Sequence, residues 1–154
     1  MTDIKAGFGL LLAVVVAGTF GLASCASDGS EDRSEGSDRN GTLSVDKECP
    51  PDQYTGKEGS YCTFTSSSLD AASADSKVIY LQPEDVASDV ILEPPGSGDD
   101  QAFGRCVLPD GLNGLCTFNG GTGEFKDFSA RLTVTHLGDV NWHWEGPYSF
   151  SPLD

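Results

Sequence analysis

An all-β sandwich or barrel is the fold class predicted by the stretch from Tyr61 to Phe150. Short runs of β-branched and aromatic residues alternate there with Gly, Pro, Asp and Asn, the residues that turn a chain between strands. No stretch of useful length carries the 3.6-residue apolar period of a helix. About a hundred residues are enough for one hydrophobic core and too few for two.

The elements follow in order. Ser60–Ser66 contains Tyr61, Thr63, Phe64 and Thr65, all residues that fit a pleated surface. Leu69–Ser76 reads as a helical turn or a loop. Val78, Ile79 and Tyr80 mark a strand over Lys77–Gln82, and Val90, Ile91 and Leu92 mark another over Asp89–Leu92. Ala102–Leu108 and Gly114–Phe118 flank the turn cluster Pro109-Asp110-Gly111-Leu112-Asn113, a hairpin signal. Glu124–Leu137 is long, and its alternation slips near Phe128-Ser129, where a bulge would re-aim the side chains. In the last strand, Asn141–Phe150, Trp142 and Trp144 share one face by the two-residue period, with Tyr148 and Phe150 on its continuation and His143 opposite.

What precedes these strands has another character. Ala6 to Ala26 carries no charge, and Leu22-Ala23-Ser24-Cys25 closes the run as a bacterial lipobox would. Residues 1–24 therefore read as a lipoprotein signal peptide and Cys25 as the lipidated residue, bearing diacylglyceryl and palmitate-type acyl chains that hold a protein firmly when two or more are present. The run also approaches the roughly 20 residues of a spanning helix, so a retained N-terminal helix is the rival reading. Either way Lys5 stays inside and the remainder lies on the extracytoplasmic face of the cell membrane. Residues 25–45, rich in Ser, Gly, Asp and Glu, read as a flexible acidic tether, leaving 46–154 for the folded domain.

The chain has 9 Lys and Arg against 24 Asp and Glu, a formal net charge of -15. That charge excludes nucleic acid as a partner class and repels anionic headgroups, so membrane attachment falls to the lipid. With Cys25 assigned to lipid, Cys49, Cys62, Cys106 and Cys116 remain, an even number in an oxidising compartment. The turn between Cys106 and Cys116 sets those two opposite each other and favours Cys106–Cys116 with Cys49–Cys62 among three connectivities. No Cys-x-x-Cys knuckle is present and the compartment is oxidising, so no zinc site is expected, and no cofactor is assigned.

Gly120-Gly121-Thr122-Gly123-Glu124-Phe125, followed by Phe128-Ser129-Ala130 and Leu132-Thr133-Val134-Thr135, resembles the Gly-Gly-Thr-Gly-x-Phe segment of the allene oxide cyclase and dirigent barrel proteins. Trp142 to Phe150 is similar to their closing Gly-x-Tyr strand. Tyr61 to Leu69 and Lys77 to Tyr80 resemble a group of small exported actinobacterial proteins with this barrel. The resemblance, over about Glu58 to Asp154, implies an antiparallel barrel of about eight strands with a narrow lumen suited to a small apolar ligand. Independently of it, the three glycines permit a sharp turn, after which Phe125 plugs the lumen or covers the exterior.

No nucleophile, metal set or paired carboxylate stands out, and no catalytic residue is assigned. Glu124, Asp127, Arg131 and Glu145 read as solvated groups, and His136 and His143 as structural or surface histidines. Trp142, Trp144, Tyr148 and Phe125 are the candidate ligand-binding residues, with core packing as their alternative role. The reading is an envelope-anchored lipoprotein whose barrel offers a lumen or an edge to a small apolar ligand or an envelope partner, without catalysis. The alternative is an isomerase, cyclase-like or dirigent-like, that guides a reactive apolar substrate. Cys25→Ala should abolish incorporation of a labelled fatty acid and leave the leader uncleaved; label that persists in the variant would overturn the assignment.

Overall fold

The computed structural model describes residues 39–96 and 98–150. The apolar leader, Cys25 and most of the tether lie outside the described residues. Eight strands close into one antiparallel barrel in chain order. They are β1 (Asn40–Glu48), β2 (Tyr61–Ser67), β3 (Lys77–Tyr80), β4 (Ala87–Glu93), β5 (Gln101–Val107), β6 (Asn113–Thr122), β7 (Ser129–Gly138) and β8 (Asn141–Ser149). Seven of these lie where strands were expected, shifted by a few residues at their ends.

The eighth, β1, corrects the expected boundary between tether and domain. Asn40 to Val45 had been placed in the tether, yet the barrel begins at Asn40, and Leu43 and Val45 are fully buried. Its alternation is short and follows a run of Ser, Gly and Asp, so local composition masked it. β1 pairs with β8 along its whole length, from Asn40 opposite Ser149 to Glu48 opposite Asn141, and this seam closes the barrel.

A second correction concerns the long strand expected over Glu124–Leu137. Its first two residues belong to a 3-10 turn, Gly123–Phe125, and β7 starts only at Ser129. The slip in alternation at Phe128-Ser129 therefore marks the strand's beginning, while the register shift of β7 against β8 falls between His136 and Gly138. Gly120 and Gly123 have φ of +84° and +53°, the left-handed conformation that their lack of a side chain permits. The turn carries Phe125 into the closed end of the barrel, where it is completely buried.

Inward-facing residues fill the lumen unequally. Trp144 lies near mid-height, its ring centre 5.9 Å from Phe64 and 6.0 Å from Phe118. Beyond it Phe118, Phe128, Phe125, Phe150 and Tyr148 contact one another at ring-centre distances of 5.0 to 6.4 Å and plug the end where the chain enters and leaves. The other end is stapled by Cys49–Cys62 and Cys106–Cys116, the connectivity that the hairpin favoured. Between the latter two, the Asp110 carboxylate accepts hydrogen bonds from the backbone N–H groups of Leu112 and Asn113 at 2.8 and 2.6 Å, fixing the turn.

Removing the Cys106–Cys116 bridge by a double change to Ala should destabilise the barrel by roughly 2–3 kcal/mol, the scale for closing a loop of this length. Chemical denaturation of the oxidised parent and the variant would measure it, and an unchanged midpoint would mean that the hairpin needs no staple.

Candidate functional site

The two-residue period of β1 puts Leu43, Val45 and Lys47 on the lumen face. The first two meet the aromatic core. Lys47 comes one step further toward the stapled end and is only 2% exposed although it is a lysine. Its cross-strand neighbour on β8 is Trp142, and that of Val45 is Trp144, so closure of the seam places an amine against two indoles. Nζ stands 4.2 Å from the centre of the Trp144 ring and 5.9 Å from that of Trp142.

Among the described residues no carboxylate balances this amine. Its recorded hydrogen-bond partner is the Tyr80 hydroxyl, whose oxygen accepts from Nζ at 2.7 Å. Tyr80 lies on the inward face of β3, and its ring packs edge-on against Tyr54 at 4.8 Å. Its oxygen is also 3.7 Å from Cys62 Sγ. Because that sulfur is oxidised and carries no hydrogen, the tyrosine O–H is the donor in this contact. Burial alone pushes the Lys47 ammonium down to about 7, because a charge removed from water without a counter-charge is unfavourable. The same burial, with Tyr54 beside it, raises Tyr80 and keeps its hydroxyl neutral.

These groups face a cavity of about 150 Å³ that opens at the stapled end. Trp142, Trp144, Val134 and the Cys106–Cys116 bridge form its apolar walls, Lys47 and Tyr80 its polar side, and Pro83 to Val86 of the β3–β4 loop its rim. A volume of this order holds one six-membered ring.

Of the four ligand-binding candidates, the structure brings together only two. Trp142 and Trp144 line the cavity, whereas Tyr148 and Phe125 belong to the aromatic plug at the other end. They share a face with the tryptophans or lie near it, but the length of β8 separates them from the cavity. Lys47 and Tyr80 were not among the candidates. Tyr80 sat within a recognised strand, and the period Leu43, Val45, Lys47 would have pointed Lys47 inward had β1 been recognised.

The remaining polar candidates stay in solvent. Glu124 and Asp127 border a shallow depression outside the plugged end, and Arg131 lies on the outer face of β7. His143 faces outward, opposite the tryptophans, and sits between Asp46 Oδ1 at 2.7 Å and Glu145 Oε2 at 3.4 Å. The hydrogen bond that the His143 ring N–H donates to the Asp46 carboxylate raises the imidazole and lowers the carboxyl, so this pair supports the β1–β8 seam while both are charged. Its gain is full between the ordinary carboxylate and histidine ranges, is lost as pH rises through the raised imidazole value, and is lost again as pH falls through the lowered carboxyl value. His136 stacks on Trp142 at 4.5 Å, and its Nε2 is 3.0 Å from the Asp139 carbonyl oxygen. Among the described residues no group of three His, Cys, Asp or Glu is placed to hold a metal ion.

Compared with known protein families, with curated proteins and with solved structures, the chain finds no match in any of the three.

Replacing Lys47 with Met, which keeps the length and removes the charge, should stabilise the barrel at neutral pH by roughly 1–3 kcal/mol, the relief of burying the ammonium less the loss to Tyr80. The sign is set by linkage. Lys47 is depressed in the folded state, so the unfolded chain binds more protons between about pH 7 and the ordinary lysine value, and stability contributed by this residue rises with pH there. Urea midpoints from pH 6 to 10 should show that rise in the parent and its absence in Lys47→Met.

Proposed function

We propose that the barrel is a small-ligand binding module, held at the extracytoplasmic face of the cell membrane through Cys25, and that its ligand enters the stapled end of the lumen. The observation that carries this reading is the uneven filling of the barrel. One end is plugged by five aromatic side chains, while the other keeps a cavity of about 150 Å³ against Trp142 and Trp144. A core evolved for stability alone is packed without such a void, since each unfilled methyl-sized space costs about 1 kcal/mol. Apolar walls with a few convergent polar groups are the usual make-up of a ligand site. Volume and indole walls select a planar body about one ring in size. A closed barrel has no unpaired strand edge, which weighs against a partner that binds by adding a strand.

A second reading, isomerase action of the cyclase or dirigent kind, draws support from the convergence of Lys47 and Tyr80 in an apolar cavity. In that reading the two groups would steer proton transfer while the walls exclude water. Stereoselective turnover of an unsaturated epoxide or of phenolic radicals by the purified protein would favour it over plain binding.

Titration with single-ring compounds should change tryptophan emission saturably, and Trp142→Ala, which leaves the mid-barrel Trp144 in place, should weaken binding about tenfold or more. No saturable change across a panel of such compounds would remove the binding reading.

A further inference from the structure

We propose that Lys47 captures a neutral carbonyl ligand covalently, as a reversible imine between its Nζ and an aldehyde carried on a planar ring. The inference rests on the binding reading above and names the ligand's reactive group. The carrying observation is the arrangement around Nζ. Lys47 is 2% exposed, faces the cavity and has no carboxylate paired with it among the described residues. Tyr80 directs its O–H toward Cys62 Sγ and its oxygen accepts one N–H of Lys47. When the Tyr80 hydroxyl turns to Cys62 Sγ, the lone pair of the neutral amine is free to attack a ligand in the cavity. Desolvation supplies that neutral form at ordinary pH.

An anionic ligand is the other chemistry a buried amine invites, and the mouth disfavours it. Glu84 and Asp85 stand at the rim, and the chain as a whole carries a net charge of -15. Approach of a carboxylate is opposed by both, whereas an uncharged carbonyl compound pays no such penalty. Glu84 shares its charge with Arg105 at 3.4 Å, outside the cavity, so this pair does not neutralise Asp85.

The step balances without a further reagent. The Nζ lone pair forms the N–C bond as the carbonyl π pair moves onto oxygen. A proton leaves nitrogen and reaches that oxygen through the Tyr80 hydroxyl, 2.7 Å from Nζ, giving the carbinolamine. The carbinolamine hydroxyl then departs with a proton as one water, and the nitrogen pair closes the C=N bond. One amine and one aldehyde become one imine and one water, and nothing is oxidised or reduced. Tyr80 is here a proton relay, and the indole faces hold the ring.

The test uses the purified protein with benzaldehyde and sodium cyanoborohydride at neutral pH, followed by intact mass and peptide mapping. The expected result is a single benzyl adduct on Lys47, formed at least roughly tenfold faster than on Lys57, Lys77 and Lys126, which are exposed to water. Tyr80→Phe should slow the adduct without changing the saturable tryptophan response to benzyl alcohol, the ring without the carbonyl. Adducts confined to the exposed lysines, while benzyl alcohol still binds saturably, would overturn the imine and leave the binding reading intact. Failure of benzyl alcohol and benzaldehyde alike to bind would overturn both. Because the mapping is made on the parent chain, it does not depend on a Lys47 variant that folds.

Discussion

The pairing of β1 with β8 is the constraint on which the rest of the structure depends. It is the last ladder of the barrel in chain order, joins residues about a hundred positions apart, and turns an open sheet with two edges into one with none. It also creates the inside. Leu43 and Val45 are buried because β8 covers them, and Lys47 becomes a buried lysine only when Trp142 comes opposite it. On the outer surface of the same seam, Asp46 and His143 form a short ion pair, so adjacent residues of β1 serve opposite purposes. One faces water and gains from charge pairing. The next faces the lumen and has no counter-charge among the described residues.

The lumen is divided between stability and vacancy. Phe125, Phe128, Phe150 and Tyr148, with Phe118 and Trp144 behind them, supply the large apolar area that a domain of this size needs. The stapled end lacks that packing, and both disulfides lie there. A covalent bridge stabilises through the unfolded chain rather than by filling space, so it can hold an end of a barrel together while leaving the interior open. The two devices are thus distributed by what each end must keep: contact at one, room at the other.

Lys47 opposes folding in this arrangement. An amine buried against indole rings and a tyrosine hydroxyl gives up much of its hydration, and that loss pushes its ammonium down to about 7. The cation–ring contacts at 4.2 and 5.9 Å offset part of it. A methionine or leucine would fill the same space at lower cost, which is why an unpaired lysine at this position reads as a chemical group and not as a packing solution.

Most of the strand order was legible in sequence because a two-residue period bounded by Gly, Pro and Asp is a local signal. The hairpin from Cys106 to Cys116 was legible for the same reason, since its turn residues and its cysteines lie within one short segment. So was the shared face of Trp142 and Trp144. β1 was hidden because its three inward residues follow a run of Ser, Gly and Asp that belongs to another kind of chain. The cavity was hidden for a different reason. Which inward residues meet depends on ladder register and on closure, which bring Lys47 from the first strand to Tyr80 of the third and Trp142 of the last, and no pattern along the chain encodes those distances. By itself the sequence determined the element type, the hairpin and one wall of the site. The barrel's closure alone decided that the wall faces an amine, because a lysine's environment is set by what lies across the lumen and not by its neighbours in the chain.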